Sequence, residues 1–195
     1  MSEMRLYDQT GARLYLTPEE RADFLAIAAT EPPDIRMFAE TLAYTGARVS
    51  EVLELVPERV NLDERQVVLR SLKKRREDVF RAVPVPDEYI DRLDLAFGVR
   101  KLQRSKKTKA APIWAWHRQH GWRLTVGLMV RAGIGEGPHR TPKGLRHSYG
   151  IGAVINDVPL NMLQKWMGHA QISTTAIYAN AQGKEERAIA ARMWE

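Results

Sequence analysis

His169 and Tyr178 stand nine positions apart, in Gly168-His169-Ala170-Gln171-Ile172-Ser173-Thr174-Thr175-Ala176-Ile177-Tyr178. Gly168 reads as a helix stop and Ser173 as a fresh helix start between them. A phenol with an ordinary pKa of about 10 is a poor nucleophile, so a tyrosine that attacks phosphorus needs cations around it. Arg48, Lys73, Lys143 and Arg146 all lie in contexts suited to gripping a phosphate. The chemistry open to such a set is the breaking and rejoining of a DNA phosphodiester through a phosphotyrosine bond.

Without a metal, that reaction has three requirements. The non-bridging oxygens must be neutralised, the nucleophile positioned, and the leaving 5′ oxygen protonated. Arginine suits the first, because its planar fork binds two oxygens at once and keeps its charge. Arg48 and Arg146 are the candidates. Arg48 opens a helix predicted over 47–55, where backbone N–H groups also favour an anion. Glu51, three residues on, shares its face and can orient it. Lys73 or Lys74, on a tight basic turn, can swing an ammonium toward the leaving oxygen. Lys143 and Arg146 are three apart on one helical face, and His169 projects from a loop behind its glycine stop.

The elements that must position these groups are mostly helical. Thr17-Pro18-Glu19-Glu20 reads as a capping box with proline in the first turn. Pro32-Pro33-Asp34 ends that helix and caps the next, and Gly46 breaks before the third. The period then changes to two, with short strands at 60–62, 66–70 and 79–83. Pro84 and Pro86 close the sheet, and Asp87 can cap a helix through Leu95. Helical segments follow at about 122–132, 142–156, 159–167 and 173–180, then a last one over 184–194 bearing Ile189, Met193 and Trp194. The expected class is α+β, mainly helical, with a small three-stranded antiparallel sheet. Residues 1–16 read as a polar leader with a short strand near 13–16, and 17–195 as one domain.

Composition narrows the partners. The chain has 195 residues, 44% of them hydrophobic, which suits one domain with a substantial core. It has no cysteine, which removes disulfides, thiolate nucleophiles and cysteine zinc sites. No apolar run approaches a membrane span and the start lacks a signal-peptide core, so a cytoplasmic home without a membrane partner is expected. The net charge of +6 favours a polyanion. From Leu95 to Gly135 there is no acidic residue, while Arg100, Lys101, Arg104, Lys106, Lys107, Lys109, Arg118, Arg123 and Arg131 lie there. Arg70, Lys73, Lys74, Arg75 and Arg76 form a second cluster. Trp114, Trp116 and Trp122 interleave with the first, a pattern that leans toward nucleic acid. A metal site on His117 and His120 is a poor alternative, since the carboxylates such sites recruit are missing nearby.

Gly46-Ala47-Arg48-Val49-Ser50-Glu51, Leu145-Arg146-His147 and Gly168-His169 through Thr174-Thr175 to Tyr178 resemble the catalytic domain of the tyrosine recombinases, the phage-integrase family. The likeness runs from Leu16 to about Asn180. It implies Tyr178 as nucleophile, Arg48 and Arg146 as the phosphate clamp and His169 as a further donor to the phosphate. It also implies Lys73 as the acid serving the 5′ oxygen, with Lys74 as the alternative register, and Glu51 as a supporting residue. Lys74, Arg75, Arg76, Lys106, Lys107 and Lys109 are then DNA contacts. The implied partner is a double-stranded recombination site, bound by a homo-oligomer, a tetramer on paired sites, with no cofactor or metal. The family often has histidine where Lys143 stands. An ammonium suits a phosphate or backbone contact better than the activation of Tyr178, which leaves the general base open. Larger relatives carry an N-terminal DNA-clamping domain, which the short stretch before Thr17 does not supply. Topoisomerases of type IB share the tyrosine and cationic pocket, and a DNA-binding regulator without chemistry is a further alternative.

Overall fold

The computed structural model describes residues 5–71, 79–180, 184–191 and 193–194. The first helix, α1 (Pro18–Ala28), starts at the capping box: Glu20 N donates to Thr17 Oγ1 at 3.2 Å, and Thr17 N to Glu20 Oε2 at 2.9 Å. The same Glu20 pairs with Arg13, so the cap also fastens the preceding segment. Residues read as a leader therefore join the core: Leu6, Tyr15 and Leu16 are buried. The short strand expected there is a single bridge between Tyr7 and Arg13.

Helix α2 (Pro33–Thr45) buries Met37, Phe38 and Leu42 and packs on α1. Its cap differs from expectation, since Pro32 occupies the N-cap and Asp34 lies inside the first turn. Helix α3 (Val49–Leu53) is shorter than predicted, with Arg48 as its N-cap. The sheet has the order β1 (Val60–Asn61), β2 (Gln66–Arg70) and β3 (Phe80–Pro84), antiparallel throughout. Its register pairs Val67 with Val83 and Leu69 with Arg81. Period-two alternation puts all four on the inner face, and all four are buried.

Helices α4 (Asp87–Phe97) and α5 (Val99–Gln103) follow, the second unforeseen in the sequence. Helix α6 (Arg118–Arg131) begins a turn earlier than expected. Then come α7 (Pro142–Ile155), α8 (Leu160–Met167), α9 (Ser173–Ala176), a 3-10 turn over Ile177–Asn180, and α10 (Lys184–Ala191). Helix α10 packs on α7 of its own chain, while Met193 and Trp194 beyond it are exposed.

Two apolar clusters result. The larger joins α1 to α4, the sheet and α6. The smaller gathers Leu6, Tyr15, Ile151, Leu163, Met167 and Tyr178. Helix α7 contributes Leu145 to the first and Ile151 to the second, and the polar residues between them build the site. Among the described residues, no helix is long and apolar enough to cross a membrane.

Candidate active site

Helix α7 delivers Arg146 into the interior, where its guanidinium is buried. Nη1 donates to Gly46 O, Nη2 donates to Met167 O at 2.7 Å, and Nη2 lies 3.1 Å from His169 Nε2. A guanidinium only donates, so His169 Nε2 is an acceptor and the ring proton sits on Nδ1. Nδ1 in turn lies 2.9 Å from Thr175 Oγ1. Arg146 Nε is buried with no partner. Three of the five guanidinium N–H groups are thus committed, leaving Nε–H and one Nη1 hydrogen for an incoming oxygen. Burial, then repulsion from Arg48, brings the Arg146 pKa down to about 9, so the group stays charged at neutral pH.

The end of α8 fixes His169. Gly168 adopts the left-handed conformation (φ +66°) that favours glycine. His169 N donates to Gln164 O at 3.1 Å, and Gln164 Nε2 donates back to His169 O at 3.1 Å. The loop behind the glycine stop is therefore held at both backbone groups.

Arg48 lies across from Arg146, its side chain 30% exposed. Arg48 Nη1 donates to Glu51 Oε1 at 2.7 Å, and its backbone N donates to Oε2 at 2.9 Å. Glu51 is buried and also paired with Arg81, whose Nη2 is 2.6 Å from Oε2. Burial alone would raise the Glu51 pKa, but Arg81 and then Arg48 outweigh it and hold the carboxylate below its ordinary range.

Tyr178 is fully buried in the smaller cluster. Its ring stacks on His169 with centroids 6.3 Å apart and an interplanar angle of 17°. Its hydroxyl lies 3.3 Å from His147 Nδ1. Burial raises its pKa to about 12, against the opposing fields of Arg146 and Arg48. Both predicted arginines therefore act on the phenol, but the phenol sits in an apolar slot and stays protonated in the free chain. Gly150 makes that slot possible, since a Cβ there would stand 2.5 Å from Tyr178 Cζ. Gly150→Ala is expected to displace the ring and to cost about 1–3 kcal/mol in urea unfolding. The tyrosine should then titrate closer to 10 in ultraviolet absorbance; an unchanged titration and stability would contradict the packing.

His147 is the residue sequence reasoning quoted but gave no role. It is buried, its Nε2 has no partner, and burial, then Lys143 and Arg146, lower its pKa to about 3. Its ordinary value is about 6.5, so the unfolded chain binds this proton first and stability falls as pH drops below about 6.5. At pH 5 the loss is roughly 2 kcal/mol. His139, also lowered, chiefly by burial, has the same sign. Urea unfolding at pH 7 and pH 5 should show the loss, and His147→Gln should reduce it; equal pH slopes in both proteins would exclude His147 as the source.

Lys143 is exposed in the first turn of α7, and its charge helps keep His147 neutral. Lys73, Lys74, Arg75 and Arg76 lie outside the described residues. Lys106 and Lys107 are exposed on the segment after α5, which is tied to the turn before β1 by Glu58 N donating to Lys109 O at 3.0 Å. The structure does not bring them to the cluster of Arg48, Arg146, His169 and Tyr178. Lys109 is paired with Glu58 at 3.0 Å. The tryptophan reading needs correction. Trp114 is buried with Nε1 donating to Asp34 O, edge-on to Phe38 and Phe97, and Trp116 packs on Phe38. Two of the three rings are core, and Trp122 alone of them is exposed.

Sequence reasoning also missed Arg81 and Thr175. The signal for Arg81 was present, since alternation puts residue 81 on the face of Val83. Thr175 was quoted within the Thr174-Thr175 motif without a role, yet it holds the His169 ring.

A buried arginine–histidine–tyrosine cluster, with a second arginine on a glutamate, set between a helical bundle and a three-stranded sheet, defines a class of catalytic domain. The chain belongs to the phage integrase family, whose model matches residues 15–185. It is 26% identical to tyrosine recombinase XerA of Pyrococcus furiosus over 178 residues, covering 87% of this chain and 58% of that protein. It is 29% identical to tyrosine recombinase XerD of Staphylococcus epidermidis over 175 residues, covering 83% of this chain and 57% of that protein. The fold matches the crystal structure of XerA recombinase with a TM-score of 0.75 at 24% identity, over 93% of this chain and 65% of that one. It matches the catalytic domain of bacteriophage HP1 integrase with a TM-score of 0.63 at 22% identity, over 90% and 93% of the two chains. The chain spans less than two thirds of the length of the two curated recombinases, 58% and 57%.

Proposed function

We propose that this chain is the DNA-cleaving unit of a site-specific recombinase that works through a 3′-phosphotyrosyl intermediate. The observation that carries the reading is the convergence of Arg48, Arg146 and His169 around Tyr178, together with membership of the family. A scissile phosphate enters beside Arg48 and Arg146, whose uncommitted N–H groups take its non-bridging oxygens. Its negative charge offsets the arginines, and the Tyr178 oxygen bonds to phosphorus as the bond to the 5′ oxygen breaks. The phenolic proton passes to water, and the 5′ oxygen gains one from Lys73 on the family's pattern. Once Arg146 Nη2 turns from His169 Nε2 to the substrate, the histidine nitrogen takes a proton from water and donates to the phosphate. The covalent bond keeps the energy of the phosphodiester, so a second strand's 5′ hydroxyl reseals it without ATP. The reading includes a homotetramer on paired sites and a cytoplasmic place of action, where the DNA lies.

The test needs no known target site. A library of nicked duplexes with a randomised stretch around the scissile phosphate is incubated with the chain and resolved under denaturing conditions. The expected result is a covalent protein–DNA adduct, enriched for one sequence and mapping by peptide mass to Tyr178. No adduct on any duplex, with binding intact, would favour a DNA-binding regulator; relaxation of plasmids without site preference would favour a topoisomerase.

A further inference from the structure

Arg81 occupies an inner-face position of β3 that the sheet otherwise fills with apolar side chains, and it is only 5% exposed. Its donors reach three separate parts of the molecule. Nη2 donates to Glu51 Oε2 at 2.6 Å, Nη1 to Ser71 Oγ at 3.0 Å, and Nε to Trp166 O at 2.8 Å. Trp166 O and Met167 O are neighbouring carbonyls at the C-terminal end of α8, where helix carbonyls lack intrahelical partners and carry negative partial charge. One accepts from Arg81 and the next from Arg146 Nη2. The α8 end therefore ties the Arg146 side of the site to the sheet. Through Glu51, Arg81 also ties the sheet to Arg48. Arg81 Nη2 and the Arg48 backbone share Oε2, while Oε1 receives Arg48 Nη1 at 2.7 Å beside a longer contact of 3.5 Å from Arg81 Nη1, and this arrangement aims the Arg48 guanidinium.

We infer that Arg81 is a positioning residue that sets the placement of Arg48 relative to Arg146 without touching the phosphate itself. The inference rests on the recombinase reading and adds to it a residue that acts through Glu51. A displacement of about 1 Å in a catalytic group costs on the order of 100-fold in rate, so the consequence is measurable. A buried ion pair with only a folding role would lower stability and leave the chemistry of the folded fraction unchanged.

The experiment uses the duplex selected by covalent capture, in two forms. One has the ordinary phosphodiester at the scissile position; the other has a methylphosphonate, in which a methyl group replaces one charged oxygen. If Arg48 serves to neutralise that oxygen, its loss matters less on the neutral substrate. Single-turnover adduct formation is measured for wild type, Arg48→Ala, Arg81→Met and Arg81→Lys, each checked for fold by circular dichroism. Arg81→Met is expected to be about 100-fold slower than wild type on the phosphodiester. On the methylphosphonate the gap should shrink to within about tenfold, in parallel with Arg48→Ala, with duplex affinity nearly unchanged. Arg81→Lys keeps the charge beside Glu51 and guards against misfolding; it should show a smaller defect with the same substrate dependence. Wild-type rates in the Arg81 variants, or an equal defect on both substrates while Arg48→Ala is rescued, overturn the proposal alone. A wild-type chain that forms no adduct on any duplex overturns the recombinase reading and the proposal with it.

Discussion

Tyr178→Phe is expected to abolish the covalent adduct, by a factor of at least about 10⁴, while leaving the fold intact. The phenylalanine ring keeps the stack on His169 and the packing on Gly150. What disappears is the oxygen and its 3.3 Å contact with His147. Removing one long hydrogen bond from an apolar slot costs about 1 kcal/mol or less, and the gain from not burying a hydroxyl partly offsets even that. The substitution therefore separates chemistry from stability. Circular dichroism and urea unfolding should match the parent, duplex binding should persist, and denaturing gels should show no adduct. Trapping at the parental rate would remove Tyr178 from the mechanism.

The second large effect is expected of Arg146→Lys. An ammonium keeps the charge, but it is one donor centre and cannot span Gly46 O, Met167 O and His169 Nε2, which lie on three different elements. At least one carbonyl is left buried and unpaired, at about 1–3 kcal/mol. His169 loses the donor that fixes its tautomer, and the phosphate loses a planar fork. Adduct formation should fall about 10²–10³-fold, the range for removal of one preorganised donor. The measurement is single-turnover cleavage on the captured duplex, with stability followed in parallel. If the lysine variant cleaves like wild type, charge alone suffices and the geometry described here is not what stabilises the transition state.

Local chemistry carried much of the reading. The capping box at Thr17 and Glu20 depends on two side chains three residues apart, and the structure contains both of its hydrogen bonds. The stop at Gly168, the Arg48–Glu51 pair and the three strands are also local, because each follows from backbone geometry within a turn or a short strand. Distance in space was harder. The stretch from Leu95 to Gly135 is free of acidic residues along the chain but not in the fold. Asp94 reaches Arg100, Glu58 reaches Lys109 and Glu31 reaches Arg131. Their carboxylates come from elsewhere in the chain, so a one-dimensional charge window overstated the free positive surface. Trp114 and Trp116 misled for a related reason. A large aromatic ring suits a base stack and a core equally well, and Phe38 and Phe97, distant in sequence, decided for the core.

Residue types and local spacing specified most of the elements and a candidate set of reactive groups, and the likeness of the motifs pointed to the family. Tertiary packing decided the state of those groups. It buried Tyr178 against Gly150 and raised its pKa to about 12. It also gave His147 a phenol for a neighbour, and Arg81 a glutamate thirty positions away. The physical reason is that a proton's affinity and a guanidinium's direction depend on desolvation and on charges a few ångströms off, and sequence separation measures neither.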